Sequence, residues 1–137
     1  MKKVFDQISI RPTFMKFNGG LLFRKKSNNK YEFKTKVSKN HLNSVGITHG
    51  GYIATIIDSG AGTAAYRCSG SLKCVTVSLD IKFIGMTKLN DEITGSVSIL
   101  KQTKSMVFIS CSLKSKKKFI AYASGIWKIL KRWIENF

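Results

Sequence analysis

The chain has 137 residues, 43% of them hydrophobic, with a net charge of +17, which fits one domain spanning 1–137 with a core of its own. No run of about 18 apolar residues occurs, so a membrane-crossing helix is not expected, and Asp6, Gln7 and Arg11 break what would have to be the apolar centre of a signal peptide; a cytoplasmic protein is the expectation. The charge predicts attraction to polyanions: nucleic acid, an anionic membrane, or a phosphate-bearing small molecule.

In chain order, a short helix is predicted over Val4 to Ile10, ending near Pro12, the only proline. Leu21 to Arg24 and Tyr31 to Val37 read as strands joined by the polar turn Lys26-Ser27-Asn28-Asn29-Lys30. A long helix follows from His49-Gly50-Gly51 through Ala65. Its residues are small or apolar nearly all round, which predicts a buried helix without a polar face. Gly60 and Gly62 each cost about 0.5–1 kcal/mol relative to Ala, so a neighbouring backbone is expected to approach closely there. A sheet wrapped around the helix would do so.

Two features of this helix carry chemistry. Gly50 and Gly51 leave backbone N–H groups at its start accessible to a ligand oxygen, where the helix dipole favours negative charge. Asp58, surrounded by Ile53, Ala54, Ile56, Ile57 and Ala61, reads as a buried carboxylate, a rare thing unless paired or catalytic.

Beyond the helix, Val75, Val77, Leu79, Ile81 and Phe83 alternate with Thr76, Ser78, Asp80 and Lys82, a half-buried strand. Further alternations run through Ile93, Gly95, Val97 and Ile99; through Val107, Ile109, Cys111 and Leu113; and through Phe119, Ala121, Ala123, Gly125 and Trp127. Hairpin, long helix, then an antiparallel meander is an α+β pattern. From Trp127 to Phe137 the apolar residues fall near helical spacing with basic residues between them. Two readings stand: a helix capping the sheet edge or an oligomer, and a basic amphipathic segment touching an anionic membrane.

Asn43-x-x-Gly46-x-x-His49-Gly50-Gly51, then Asp58, then Val75-Thr76-Val77-Ser78-Leu79, resembles the hotdog-fold thioesterases of the phenylacetate-pathway (PaaI-like) and human acyl-CoA thioesterase group. The likeness runs from about Phe17 to Lys128. It implies an antiparallel sheet curled around a central helix, an acyl-CoA substrate, no cofactor, and a homodimer that often pairs into a homotetramer. It also implies that Asn43, His49 and Gly50 position the thioester, that Asp58 is the base or nucleophile, and that Thr76 orients water or carboxylate. Gly51, Ser78, Lys82 and Lys104 are the candidate substrate-binding residues, the lysines for the CoA phosphates. This chain departs from the family where a proline is common, reading Gly85-Met86-Thr87-Lys88, and where the family's usual serine is Thr76.

Gly50 and Asp58, eight residues apart on one helix, are separated by about 12 Å along its axis. An oxyanion donor must stand about 3 Å from the carbonyl oxygen, and a base within about one water of the carbon attacked. If both serve one reaction, Asp58 comes from a partner chain, and a two-fold dimer has two such sites.

Plainer readings sit beside each assignment. Asp58 can be a structural carboxylate paired with Arg67 or a lysine; His49 can be a helix-start residue; Asn43 can be a turn former; Thr76 and Ser78 can be a strand's solvent face. His41 reads as solvated. Cys68, Cys74 and Cys111 read as reduced thiols, with no histidine placed to activate them and no zinc spacing. The scattered lysines, without any nucleic-acid-binding motif beside them, argue against nucleic acid as the partner. A non-catalytic acyl-CoA-binding protein and a basic nucleic-acid or membrane-surface binder are the alternatives to a hydrolase.

Overall fold

The computed structural model describes residues 4–130. Seven strands form one antiparallel sheet in the order β1-β2-β3-β5-β6-β7-β4: β1 (Asp6–Ile8), β2 (Leu21–Ser27), β3 (Lys30–Lys36), β4 (Cys74–Phe83), β5 (Glu92–Gln102), β6 (Met106–Ser115) and β7 (Lys118–Ile129). A four-residue helix, α1 (Phe14–Phe17), precedes β2, and the long helix α2 (Gly50–Cys68) lies between β3 and β4. The helix therefore carries the chain from one side of the sheet to β4 at its far edge, the antiparallel wrap expected of a hotdog domain.

The N-terminal helix expected over Val4 to Ile10 is not there. Asp6–Ile8 instead pairs with Leu21–Phe23 as an edge strand, because the open edge of β2 offers a ladder of amides and carbonyls that an isolated short helix cannot match. The helical turn comes after Pro12, with Thr13 as its extended N-terminal flank. The β2–β3 hairpin is tighter than the polar run suggested, since Ser27 pairs directly with Lys30 and Asn29 takes a left-handed φ of 60°.

The core lies between one face of α2 and the concave face of the sheet. Ile56, Ile57, Ala61, Ala64 and Ala65 are fully buried there, against Phe23, Phe33, Ile93, Val107, Leu113 and Trp127. The helix is not buried all round. Gly51, Ala54, Thr55, Asp58, Ser59, Gly62, Thr63 and Tyr66, spaced three and four apart, form a stripe that is half-buried or exposed. Small side chains made this stripe look apolar in sequence, but they cover little surface and leave an opening.

The close approach expected at Gly60 and Gly62 is made by side chains rather than a backbone: a Cβ at Gly60, or at Gly95 of β5, would fall on the ring of Phe33, and one at Gly62 would meet the Trp127 indole. The Phe33 ring thus occupies the space that Gly60 and Gly95 leave, one on the helix and one on β5, and holds the helix against the sheet.

Two of the four register shifts in the described sheet, those in β4 and β7, matter most for the alternation. In β4, Thr76 pairs with Trp127 and Ser78 with Ile126, so Val77 is an extra residue opposite nothing. In β7, Ala121 pairs with Leu113 and Phe119 with Lys114, leaving Ile120 as the extra residue. Phe119 is consequently exposed and Ile120 buried, the reverse of what strict alternation predicts. β4 is also less covered than expected for a half-buried strand, with Val77 and Phe83 exposed, because it is an edge strand with a neighbour on one side only. Trp127 and Lys128 belong to β7, in register with β4 and β6, so the expected C-terminal helix does not begin at Trp127; residues 131–137 of that segment lie outside the described residues. No helix among the described residues is long and apolar enough to cross a membrane.

Candidate active site

The loop before α2 is tied at both ends. Leu42 bridges to Thr48, and within that loop the Asn43 Oδ1 accepts from the amides of Val45 and Ile47, both at 3.1 Å. The Asn43 backbone N–H donates to the Ile47 carbonyl at 2.7 Å, and Gly46, with φ of 84°, donates to the Asn43 carbonyl at 3.1 Å. In this chain Asn43 is the residue that folds its own loop, with its amide nitrogen uncommitted among the described residues.

His49 closes the loop onto the helix. Its Nδ1 accepts from the Gly51 N–H at 2.7 Å, making it the N-cap. A ring nitrogen that accepts from an amide carries no proton, so in the neutral ring the proton is on Nε2 and is free to donate outward from this exposed residue. The same cap consumes the Gly51 amide. The neighbouring Gly50 N–H makes no hydrogen bond to a described residue and stands at the positive end of a 19-residue helix.

Two contacts that sequence reasoning missed hold this helix start in place. His41 is 4% exposed, not solvated. Its Nε2 donates to the Asn18 carbonyl at 2.8 Å, its Nδ1 accepts from the Ser38 N–H at 3.0 Å, and its ring stacks on Tyr52 at 3.6 Å. The His41 carbonyl in turn accepts from the His49 N–H at 2.8 Å. Next to it, the Thr87 hydroxyl bonds the Thr48 hydroxyl at 2.6 Å, both residues buried, and the Thr48 N–H donates to the Thr87 carbonyl at 2.9 Å. Thr87 lies in the segment that lacks the family's common proline, and there Gly85 lies directly against β7, donating to the Ile120 carbonyl at 3.0 Å.

Asp58 sits two turns into α2 on its open stripe, half-buried rather than sealed in the core. Its Oδ1 accepts from the Thr76 hydroxyl at 2.6 Å, and its Oδ2 has no hydrogen bond from a described residue. The Val77 bulge is what turns Thr76 toward the helix: cross-strand partners share a face, and Thr76 is opposite the buried Trp127. Asp58 forms no salt bridge with a described residue; Arg67 lies instead over the Phe23 ring at 4.7 Å. The carboxylate opens on a groove of about 370 Å³ whose walls come from α2, from β4 and β7, and from Ser9, Thr13 and Met15 of the N-terminal segment.

The remaining candidates are more scattered. Ser78 is opposite Ile126, on the other side of the bulge from Thr76, and is exposed. Lys82 is ion-paired with Asp80 at 2.9 Å on the exposed face of β4. Lys104 lies in the turn between β5 and β6, whose neighbour Ser105 accepts from the Ile129 amide, at the end of the sheet where β4 begins. The helix start is at the opposite end of β4, where Gly50 faces the Phe83 ring. Gly50 and Asp58 are therefore set along different stretches of the same strand, and one thioester cannot reach both within a chain.

The thiols are not poised for attack. Burial pushes Cys111 up to about 12; burial, then the neighbouring Cys74 thiol, pushes Cys68 up to about 11; and burial raises Cys74, which lines the groove. All three stay protonated near neutrality.

A curled antiparallel sheet around one long helix, with an open amide at the helix start and a hydroxyl-held carboxylate further along it, defines a hotdog domain. The profile of the thioesterase superfamily matches residues 45–118, and the chain belongs to that superfamily. It is 35% identical over 91 residues to acyl-coenzyme A thioesterase 13 of Mus musculus, covering 66% of this chain and 64% of that protein. The chain thus matches somewhat under two thirds of the length of that relative. The crystal structure of zebra fish thioesterase superfamily member 2 superposes with a TM-score of 0.80 at 23% identity, covering 89% of this chain and 90% of that one. A hypothetical thioesterase protein from Streptococcus pneumoniae, solved with coenzyme A, superposes with a TM-score of 0.74 at 21% identity, covering 81% and 86%.

Proposed function

We propose that this protein hydrolyses acyl-CoA thioesters in sites shared between two copies of the chain. The observation that carries the reading is the division of labour along α2. A Gly50 amide with no partner among the described residues lies at one place, and an Asp58 carboxylate, held by Thr76 and open to a groove, lies about 12 Å further on. In a two-fold dimer the Gly50 N–H and the His49 Nε2–H of one copy stabilise the developing oxyanion. Asp58 of the other copy drives attack on the carbonyl carbon, through a water or directly. Thr76 fixes the carboxylate, and Asn43 shapes the loop that carries His49. Gly51 contributes by donating its N–H to the His49 cap, and Ser78, Lys82 and Lys104 offer polar and basic surface for the CoA portion.

The edge of β4 supports the partner copy. Val77, Phe83, Ile84 and Met86 are 51%, 58%, 60% and 75% exposed along an unpaired strand edge and the segment after it, a surface that a second copy would cover. The names of the thioesterase relatives and the coenzyme A in the Streptococcus pneumoniae structure support the substrate class. Pairing of dimers into a tetramer belongs to the same reading, as does a cytoplasmic location, which suits three free thiols.

The test is complementation. Asp58→Ala and His49→Ala proteins are assayed alone and after co-refolding, following thiol release from a panel of acyl-CoAs. Each variant alone should be at least about 10²-fold slower than wild type, and the mixture should recover a substantial part of the activity because each mixed dimer has one intact site. Wild-type rates in Asp58→Ala would end the catalytic assignment, and failure of the mixture to recover would end the shared site.

A further inference from the structure

The groove beside Asp58 contains a hydrogen-bond donor that no described residue uses. Trp127 is 2% exposed and lines this groove, and its indole Nε1–H makes no hydrogen bond to a described residue. No sealed-off side-chain nitrogen or oxygen among the described residues lacks a partner, so Nε1 must be reached from outside, and the groove is the opening that Trp127 lines. Gly62 keeps it open: a Cβ there would stand 3.3 Å from Nε1. Trp127 is also the cross-strand partner of Thr76, and Gly62 is one helical turn, about 6 Å, beyond Asp58.

An acyl group whose thioester carbon is at Asp58 and whose chain runs along this groove therefore passes over the indole N–H. Indole nitrogen is donor only. A hydrocarbon lying there strips it of water and returns nothing, whereas an oxygen acceptor restores the bond. The hydroxyls of Ser59 and Tyr66 in the same wall likewise have no bonded partner among the described residues, so the groove is poor in the continuous apolar surface a long alkyl chain needs. We propose that Trp127 is a specificity residue whose indole N–H reads a hydrogen-bond acceptor on the acyl group about one helical turn from the thioester, so that the protein selects oxygen-bearing acyl chains over hydrocarbon chains of equal length.

The inference rests on the hydrolase reading for its substrate class, and the test separates the two. 5-Oxohexanoyl-CoA is compared with hexanoyl-CoA, which places a keto oxygen, an acceptor with no donor, at the required reach. The ratio of their kcat/KM values is measured for wild type, Trp127→Phe and Gly62→Ala, and the ratio of affinities is measured by calorimetry with non-hydrolysable thioether analogues of both. Wild type should prefer the keto compound by about tenfold or more. Both variants should bring the ratio toward one, Trp127→Phe by removing the N–H and Gly62→Ala by covering it with the indole retained. A merely structural lesion lowers both compounds together and leaves the ratio alone. If Trp127→Phe does not fold, Gly62→Ala decides. A wild-type ratio near one, a ratio that Gly62→Ala leaves unchanged, or no binding of either analogue overturns the proposal. Absence of thiol release with keto-selective binding intact overturns hydrolysis and leaves Trp127 as the selector.

Discussion

Thr76 donates a 2.6 Å hydrogen bond to Asp58 from a position that strict alternation with Leu79 would turn away from the helix. The Val77 bulge reverses it. Because only the hydroxyl is used, Thr76→Ser should keep kcat within about threefold, whereas the isosteric Thr76→Val should lower it by roughly 10–100-fold, the range expected for a hydrogen bond to a charged group. Thiol release from a saturating acyl-CoA measures both, and equal rates for the serine and valine proteins would remove the hydroxyl from the mechanism.

The Phe33 wedge makes a stability prediction. Gly60→Ala puts a methyl group onto the ring, an overpacking that should cost about 1–3 kcal/mol. In the Phe33→Leu background the same change should cost clearly less, since the two positions share one space. Chemical denaturation of the four proteins closes the cycle, and additive effects would show that the helix is seated by something else.

His41 supplies another. His41→Phe retains an aromatic ring against Tyr52 but strands the Ser38 N–H and the Asn18 carbonyl, which should destabilise by about 2–4 kcal/mol. The effect should also be local: the His49 amide, bonded to the His41 carbonyl, should exchange with deuterium faster than amides in the centre of α2. Unchanged protection at His49 would disconnect the buried histidine from the helix start.

The raised thiols set an alkaline limit. Cys111 titrates near 9 when unfolded and is held up at about 12 when folded. The folded state therefore keeps a proton that the unfolded state releases, and stability is full below about pH 9 and declines as pH rises toward the folded value. Cys68, raised to about 11, adds to the slope between pH 9 and 11. Urea unfolding at pH 8 and pH 10.5 should show a smaller loss for Cys111→Ala than for wild type, and parallel losses would assign the decline to other groups.

Most of the architecture could be read in the chain because period-two alternation in β5 and β6 and the long run after His49-Gly50-Gly51 are local signals. The failures have physical reasons. Bulges at Val77 and Ile120 depend on how many residues the opposite strand supplies, which no single strand records. Asp6–Ile8 became a strand because a distant edge was free to pair with it. His41 looked solvated because Asn18, Ser38 and Tyr52, which enclose it, come from separate parts of the sequence. The groove is written in the sequence as Asp58, Ser59, Gly62, Thr63 and Tyr66 at helical spacing, but the small side chains of this stripe resemble those of a buried face. Asp58 stands out by its apolar neighbours and Asn43 by family resemblance, whereas the way Asn43 ties its loop and Thr76 holds Asp58 depends on residues brought together only by the fold.

Because a single phenyl group fills a hollow made jointly by two residues on separate elements, positions 33, 60 and 95 cannot drift independently. A sequence that acquires a side chain at either glycine must shrink the aromatic in the same lineage or lose the fit of helix to sheet, so these three columns should change as a set wherever this domain is compared across organisms.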